Sequence, residues 1–174
     1  MIQVYTGNGK GKTTASLGLT LRALGQGMRV CIIQFLKHPK NAYGEHKVLK
    51  FLKEQGYPVC IEQYGSPHFV FKDRVKDSDR ELALKGLARA REVLRGNDFD
   101  LVILDEVNVA VELGVLKKED LLGLLDIDSG EKEVVFTGRY APTELIDRAD
   151  LVTEMCEVKH YYTKGVSARK GIEF

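Results

Sequence analysis

The stretch Ile2-Gln3-Val4-Tyr5-Thr6-Gly7-Asn8-Gly9-Lys10-Gly11-Lys12-Thr13-Thr14 constrains the fold of this chain more than any other. A short β-prone run meets a glycine-rich turn, and the helical pattern Ala15 to Leu24 follows directly. Glycines let a backbone turn tightly enough for successive N–H groups to point at one anion. The free amides and positive dipole end of the following helix add to that attraction. The segment reads as strand, phosphate-binding loop and helix. Lys12 is placed to reach a phosphate oxygen, and the Thr13 hydroxyl suits a Mg²⁺ ion. The usual rule sets four residues between the first glycine and Gly-Lys-Thr. Here Gly7 and Gly11 bracket only Asn8, Gly9 and Lys10, so the loop is one residue short. Gly7, Asn8, Gly9, Lys10, Gly11, Lys12, Thr13 and Thr14 form the candidate nucleotide site, with the cationic Lys10 as a second attraction for an anion.

The 174 residues, 44% apolar and 29% charged, are enough for one domain with a proper core. The expected domain is the whole chain, residues 1–174. A formal net charge of +1 supplies no overall field to recruit nucleic acid or an anionic membrane. No apolar run approaches a bilayer span, and no signal peptide precedes the first strand. Cys31, Cys60 and Cys156 lie far apart in largely apolar stretches, which predicts buried free thiols in a reducing, cytoplasmic setting.

Apolar runs and helical spacing then alternate along the chain. Strands are expected at 28–35, 59–64, 99–106, 134–139 and 151–158. Helices are expected at 45–54, from a Ser78 cap through Leu82, Leu84, Leu87, Ala88, Ala90, Val93 and Leu94, and at 107–113, 117–125 and 142–149. That rhythm predicts an α/β, P-loop NTPase-like (RecA-like) fold: a mostly parallel six-stranded sheet with helices on both faces. Ligands of such folds sit at the carboxyl ends of the strands. The loops 7–13, 36–44, 65–77, 105–108 and 137–141 should therefore share one rim, and residues from 160 onward read as a polar tail.

Two further stretches carry chemistry. Leu101-Val102-Ile103-Leu104-Asp105-Glu106 is an apolar strand ending in two carboxylates, either of which can hold a nucleotide's Mg²⁺ or Mn²⁺ together with Thr13. Thr137-Gly138-Arg139 puts a guanidinium at the same rim, suited to a phosphate or to a plain surface turn. Phe69 and Phe71 alternate in an irregular loop and read first as packing residues, second as a wall for an apolar ligand. His68 and His160 read as solvated or hydrogen-bonded rather than as ligands. No nucleophile elbow, catalytic triad or kinase loop is present in the sequence.

Taken in order, these stretches resemble the P-loop corrinoid adenosyltransferases, which act on cob(I)alamin or cob(I)yrinic acid a,c-diamide. The resemblance rests on Gly7 to Thr14, Gln34-Phe35-Leu36-Lys37 with Gly44-Glu45, Leu104-Asp105-Glu106 and Thr137-Gly138-Arg139. It continues through Ala149 to Met155, Val158-Lys159-His160, Gly165-Val166 and Gly171-Ile172-Glu173-Phe174. The shortened loop is that family's own form.

The resemblance implies transfer of the 5′-deoxyadenosyl group of ATP to the Co(I) of a corrinoid, with triphosphate released. Such a nucleophile has no proton to lose, so no general base is required. Lys12, Glu106 and Arg139 are the implied catalytic residues, acting on the leaving triphosphate and its metal. Family members are often homodimers and are usually supplied with electrons by a flavoprotein. Two departures stand out. An N-terminal extension covers the corrinoid in many members, whereas this chain begins at its first strand. Gly65-Ser66-Pro67-His68-Phe69-Val70-Phe71 replaces the family's Gly-Phe-Thr-Trp, leaving Phe69 and Phe71 as candidate corrinoid contacts. Two other readings of the loop are a phosphotransferase acting on an acceptor hydroxyl, and an ATP-dependent regulatory module without adenosyl transfer.

Overall fold

The computed structural model describes residues 1–40 and 43–174. Asn41, which the sequence places in the loop after the second strand, lies outside the described residues. The elements alternate as expected: β1 Ile2–Thr6, α1 Lys12–Gly25, β2 Val30–Phe35, α2 Gly44–Glu54, β3 Val59–Tyr64, α3 Asp77–Arg95 and β4 Leu101–Asp105. They continue with α4 Val107–Glu112, α5 Lys118–Leu122, β5 Glu133–Thr137, α6 Thr143–Asp147, β6 Leu151–Glu154 and a 3₁₀ turn at Tyr161–Lys164.

All six strands run parallel, in the order β3-β2-β4-β5-β1-β6. A parallel sheet needs cover on both faces, and successive strand residues point to opposite sides. The core divides accordingly. Ile33, Phe35, Val102, Leu104 and Phe136 pack with α3, α4, α5 and α6, while Ile32, Ile103 and Val135 pack with α1 and α2. The fold is α/β and P-loop NTPase-like. Its strand order places β5 between β1 and β4, so Thr137 ends beside the glycine loop on one side and Asp105 on the other.

Several boundaries differ from the sequence expectation. The last strand stops at Glu154, because it is an exposed edge paired only with β1. Helix α3 begins at Asp77, ahead of Ser78, and Asp79 makes the capping contact by accepting the Lys76 N–H at 3.0 Å. Its buried stripe is Ala83, Gly86, Leu87, Ala90, Val93 and Leu94. Leu84 and Ala88 turn outward, because the inward face runs through Ala83, Leu87 and Ala90 at helical spacing. Cys31 is buried as expected, but Cys60 is half-buried and Cys156 exposed.

Candidate active site

One cavity of about 740 Å³ opens at the carboxyl rim of the sheet. Residues of the glycine loop and of the loops after β2, β4 and β5 line it: Gly9 to Thr14, Lys37, Glu106 and Arg139. The loop at 65–77 also follows the carboxyl end of a strand, yet none of its residues lines this cavity. Its His68 instead lies 3.3 Å from Asp79, and Lys72 pairs with Glu112 at 2.9 Å. Phe69 and Phe71 are not packing residues: they are 88% and 59% exposed, because the loop that carries them lies outside the core.

The glycine loop is built from close backbone contacts. Gly7 and Gly11 take positive φ, and the Gly9 N–H donates to the Met155 carbonyl at 2.6 Å. Lys12, only 7% exposed, folds back to donate to the Gly7 and Gly9 carbonyls, each at 2.7 Å. Burial lowers the basicity of its ammonium; the Glu106 charge opposes that and Arg139 reinforces it. Gly9 lines the cavity, whereas Gly7 and Asn8 do not.

Asp105 and Glu106 are consecutive but occupy different environments. Asp105 is 1% exposed and accepts four donors. Thr13 Oγ1 and Thr137 Oγ1 reach Oδ1 at 2.9 and 2.7 Å; Gln34 Nε2 and Lys37 Nζ reach Oδ2, both at 2.9 Å. Burial alone would raise this carboxyl, but the Lys37 charge and these hydrogen bonds outweigh it and hold the group below its ordinary value. Lys37 gains in return: burial opposes its charge, yet Asp105 and then Glu45 lift it above the usual lysine value. Gln34, wholly buried, accepts from Gln63 at 2.9 Å and contacts His46 Nε2 at 2.7 Å, so the network reaches β3 and α2.

Glu106 sits in the left-handed region at φ 62, which turns its side chain out of the strand and into the cavity. Among the described residues its carboxylate has no hydrogen bond or ion pair. Burial, then the Asp105 charge, push it up to about 6. Of the two carboxylates, Glu106 is the one that lines the cavity.

The C-terminal tail supplies the remaining wall. His160, Gly171, Ile172, Glu173 and Phe174 line the cavity. Lys10 Nζ donates to the Ile172 carbonyl at 3.0 Å, and Glu173 is held by the Tyr161 hydroxyl and the Arg169 backbone N–H. His160 is hydrogen-bonded, as expected, accepting the Tyr162 N–H at 3.1 Å through Nδ1. Nothing local in the tail's sequence says that its end returns to the glycine loop.

Comparison with known proteins places the whole chain in a family. The family model described as "ATP:corrinoid adenosyltransferase BtuR/CobO/CobP" matches residues 1–174. The chain belongs to that family. A corrinoid adenosyltransferase of Pseudomonas aeruginosa is 37% identical across the whole chain, which covers 83% of that relative. Corrinoid adenosyltransferase CobA of Salmonella typhimurium is 33% identical across the whole chain, covering 85% of it. A Sinorhizobium corrinoid adenosyltransferase is 34% identical, with 80% of its length covered.

Proposed function

We propose that this cavity binds ATP and that the chain transfers its 5′-deoxyadenosyl group to the cobalt of a reduced corrinoid, releasing triphosphate in adenosylcobalamin synthesis or salvage. The observation that carries the reading is convergence: Lys10, Lys12, Lys37, Arg139, Thr13 and Glu106 meet in one cavity in a chain that matches the family from end to end. The whole chain acts as one nucleotide-binding unit in this reading.

The chemistry asks little of acids and bases. Co(I) attacks the ribose C5′, the C5′–O bond breaks, and the electron pair leaves on triphosphate. The protein aligns cobalt with C5′ and neutralises the leaving group. Lys10, Lys12 and Arg139 supply positive charge, and Lys12 exchanges its loop carbonyls for phosphate oxygens. The amides of Gly9 to Thr14 add donors at the start of α1.

The donor set fits a hard divalent cation. Thr13 commits its hydroxyl proton to Asp105 and keeps its lone pairs, while Glu106 offers a carboxylate not otherwise paired. Thr13 and Glu106 would hold Mg²⁺ or Mn²⁺, with Asp105 fixing Thr13 from behind. The cation supplies neutralisation of triphosphate charge when bound.

Phe69 and Phe71, exposed at the same end of the sheet, are the apolar surface offered to the corrin. Their replacement by Ala should weaken corrinoid affinity and leave ATP affinity intact; unchanged corrinoid affinity removes them from the site. A flavoprotein electron donor and a homodimer complete the proposal on the strength of the resemblance, and the scattered cysteines add a cytoplasmic site of action. No described helix is long and apolar enough to cross a membrane, and the near-zero net charge favours neither nucleic acid nor lipid as a partner.

The test is anaerobic incubation with ATP, Mg²⁺ and chemically reduced cob(I)alamin, following corrinoid spectrum and phosphate product together. Light-sensitive adenosylated corrinoid with equimolar triphosphate is the expected result. ADP as the product, or tight ATP binding without transfer, overturns the reading.

A further inference from the structure

Strands β2 and β3 pair with Cys31 directly opposite Cys60. In-register residues on neighbouring strands share a face, as do residues two apart on one strand, so Cys31, Cys60 and Glu62 project together toward α3. Both sulfurs and a Glu62 carboxylate oxygen lie within 4.8 Å of one another. Cys31 is fully buried; Cys60 and Glu62 are half-buried at the sheet edge. The Cys60 thiol donates to Glu62 Oε1 at 3.2 Å. The carboxylate also accepts the Tyr64 hydroxyl at 2.6 Å and Arg89 Nε at 3.0 and 3.3 Å, and Arg89 pairs with Glu92 at 2.8 Å. None of these residues lines the nucleotide cavity.

We propose that Cys31, Cys60 and Glu62 form a binding site for one thiophilic divalent cation, with Zn²⁺ as the type. Two sulfurs and one carboxylate oxygen are a donor set for Zn²⁺ and a poor one for Mg²⁺ or Ca²⁺. Zinc bonds of about 2.3 Å to sulfur and about 2.1 Å to oxygen set tetrahedral donors under ~4 Å apart. The donors lie within 4.8 Å and the Cys60–Glu62 pair already at 3.2 Å, so no pair needs to close by more than about one ångström. Binding forms two metal–sulfur bonds and one metal–oxygen bond, releases the two thiol protons to solvent and changes no oxidation state. Two thiolates and the Glu62 carboxylate then face a divalent ion and the Arg89 guanidinium, three negative charges against three positive, with the Glu92 carboxylate beyond Arg89 on the solvent side. That balance answers the objection that an arginine already sits on Glu62: Arg89 and Tyr64 orient the carboxylate from outside, as outer partners of metal ligands do. A water completes the fourth position on the half-exposed side. The ion ties the edge strand β3 to β2, beside the Gln63 that holds Gln34.

The experiment titrates reduced, nucleotide-free protein with Co²⁺ and displaces it with Zn²⁺, reading thiolate-to-Co²⁺ charge-transfer absorption and metal content per chain. One ion per chain with a thiolate band is expected, retained in Cys156→Ser and lost in Cys60→Ser. In Glu62→Gln, its folding checked by circular dichroism, affinity falls at least tenfold. Zn²⁺ raises the thermal midpoint of the unsubstituted protein by several degrees and leaves that of Cys60→Ser unchanged. Absence of the band in fully reduced protein, its survival in Cys60→Ser, unchanged affinity in Glu62→Gln, or recovery of the pair only as a metal-free disulfide overturns the proposal.

Discussion

Thr13 and Asp105, 92 residues apart in sequence, are joined by a 2.9 Å hydrogen bond from Oγ1 to Oδ1. That bond locks the start of α1 to the tip of β4, and Lys37, Gln34 and Thr137 complete a closed set of donors around the same carboxylate. Removing the acceptor leaves a buried ammonium with only Glu45, at 3.5 Å, and frees three polar groups at once. Asp105→Ala is expected to cost about 3–5 kcal/mol, the scale for breaking a buried ion pair from one side. Urea unfolding checks this. A loss below about 1 kcal/mol would mean that Lys37 finds solvent and the network is a surface feature.

Glu106 makes the opposite prediction. Its carboxyl is raised from 4.5 to about 6 in the folded protein, by burial first and Asp105 second. The native state therefore binds more protons than the unfolded chain between those values, and stability falls as pH rises through that window. The gap corresponds to about 2 kcal/mol lost above pH 6 and retained below about 4.5. Glu106→Gln should stabilise the metal-free, nucleotide-free protein by up to that amount at pH 7.5, with the gain shrinking toward pH 4.5. Adenosyl transfer should fall at the same time, the exchange of stability for function expected of a cavity-lining carboxylate. Unfolding midpoints at the two pH values, with one turnover assay, decide it.

The part of this site that is continuous in sequence was legible there. Gly7 to Thr14 is a local motif, and the apolar runs ending at Asp105 and Thr137 announce strands whose tips share a rim. The partners of Asp105 were not legible, because the strand order decides them: β5 is inserted between β1 and β4, which is why Thr137 reaches Asp105. Lys37 lies just past the end of β2 and could have been suspected as a cation at the rim, but its pairing with Asp105 rests on β2 lying next to β4. Register hides the Cys31–Cys60 pair in the same way. A polar tail ending in Gly171-Ile172-Glu173-Phe174 shows no periodicity, since its position comes from single contacts such as Lys10 with the Ile172 carbonyl.

The loop glycines separate steric need from conformational need. Gly7 has φ +90, and a Cβ there would stand 2.5 Å from the Met155 carbonyl oxygen. Gly27 has a similar φ of +79 with nothing within 4 Å. Gly27→Ala should cost about 1–2 kcal/mol of left-handed strain and leave ATP binding unchanged. Gly7→Ala should cost more than that and abolish ATP binding, because the loop must leave β6 to make room. Equal losses in the two variants, measured by unfolding and by nucleotide titration, would show that only the backbone conformation matters.

The tail offers the sharpest separation of binding from folding. Residues 171–174 contribute no buried core residue, yet they line the cavity and are tied to Lys10 and Tyr161. Deleting them should leave the unfolding midpoint within a degree or two while raising the KM for ATP on the order of tenfold, the scale of losing one or two hydrogen bonds near a charged ligand. Bound ATP should, conversely, slow carboxypeptidase removal of Phe174, because a filled cavity holds its own wall in place. Full ATP affinity in the truncated chain, together with a cleavage rate indifferent to ATP, would reduce the tail to a surface strap. A raised KM with protection by ATP makes Gly171 to Phe174 part of the nucleotide site, closing over a ligand that the glycine loop holds from below.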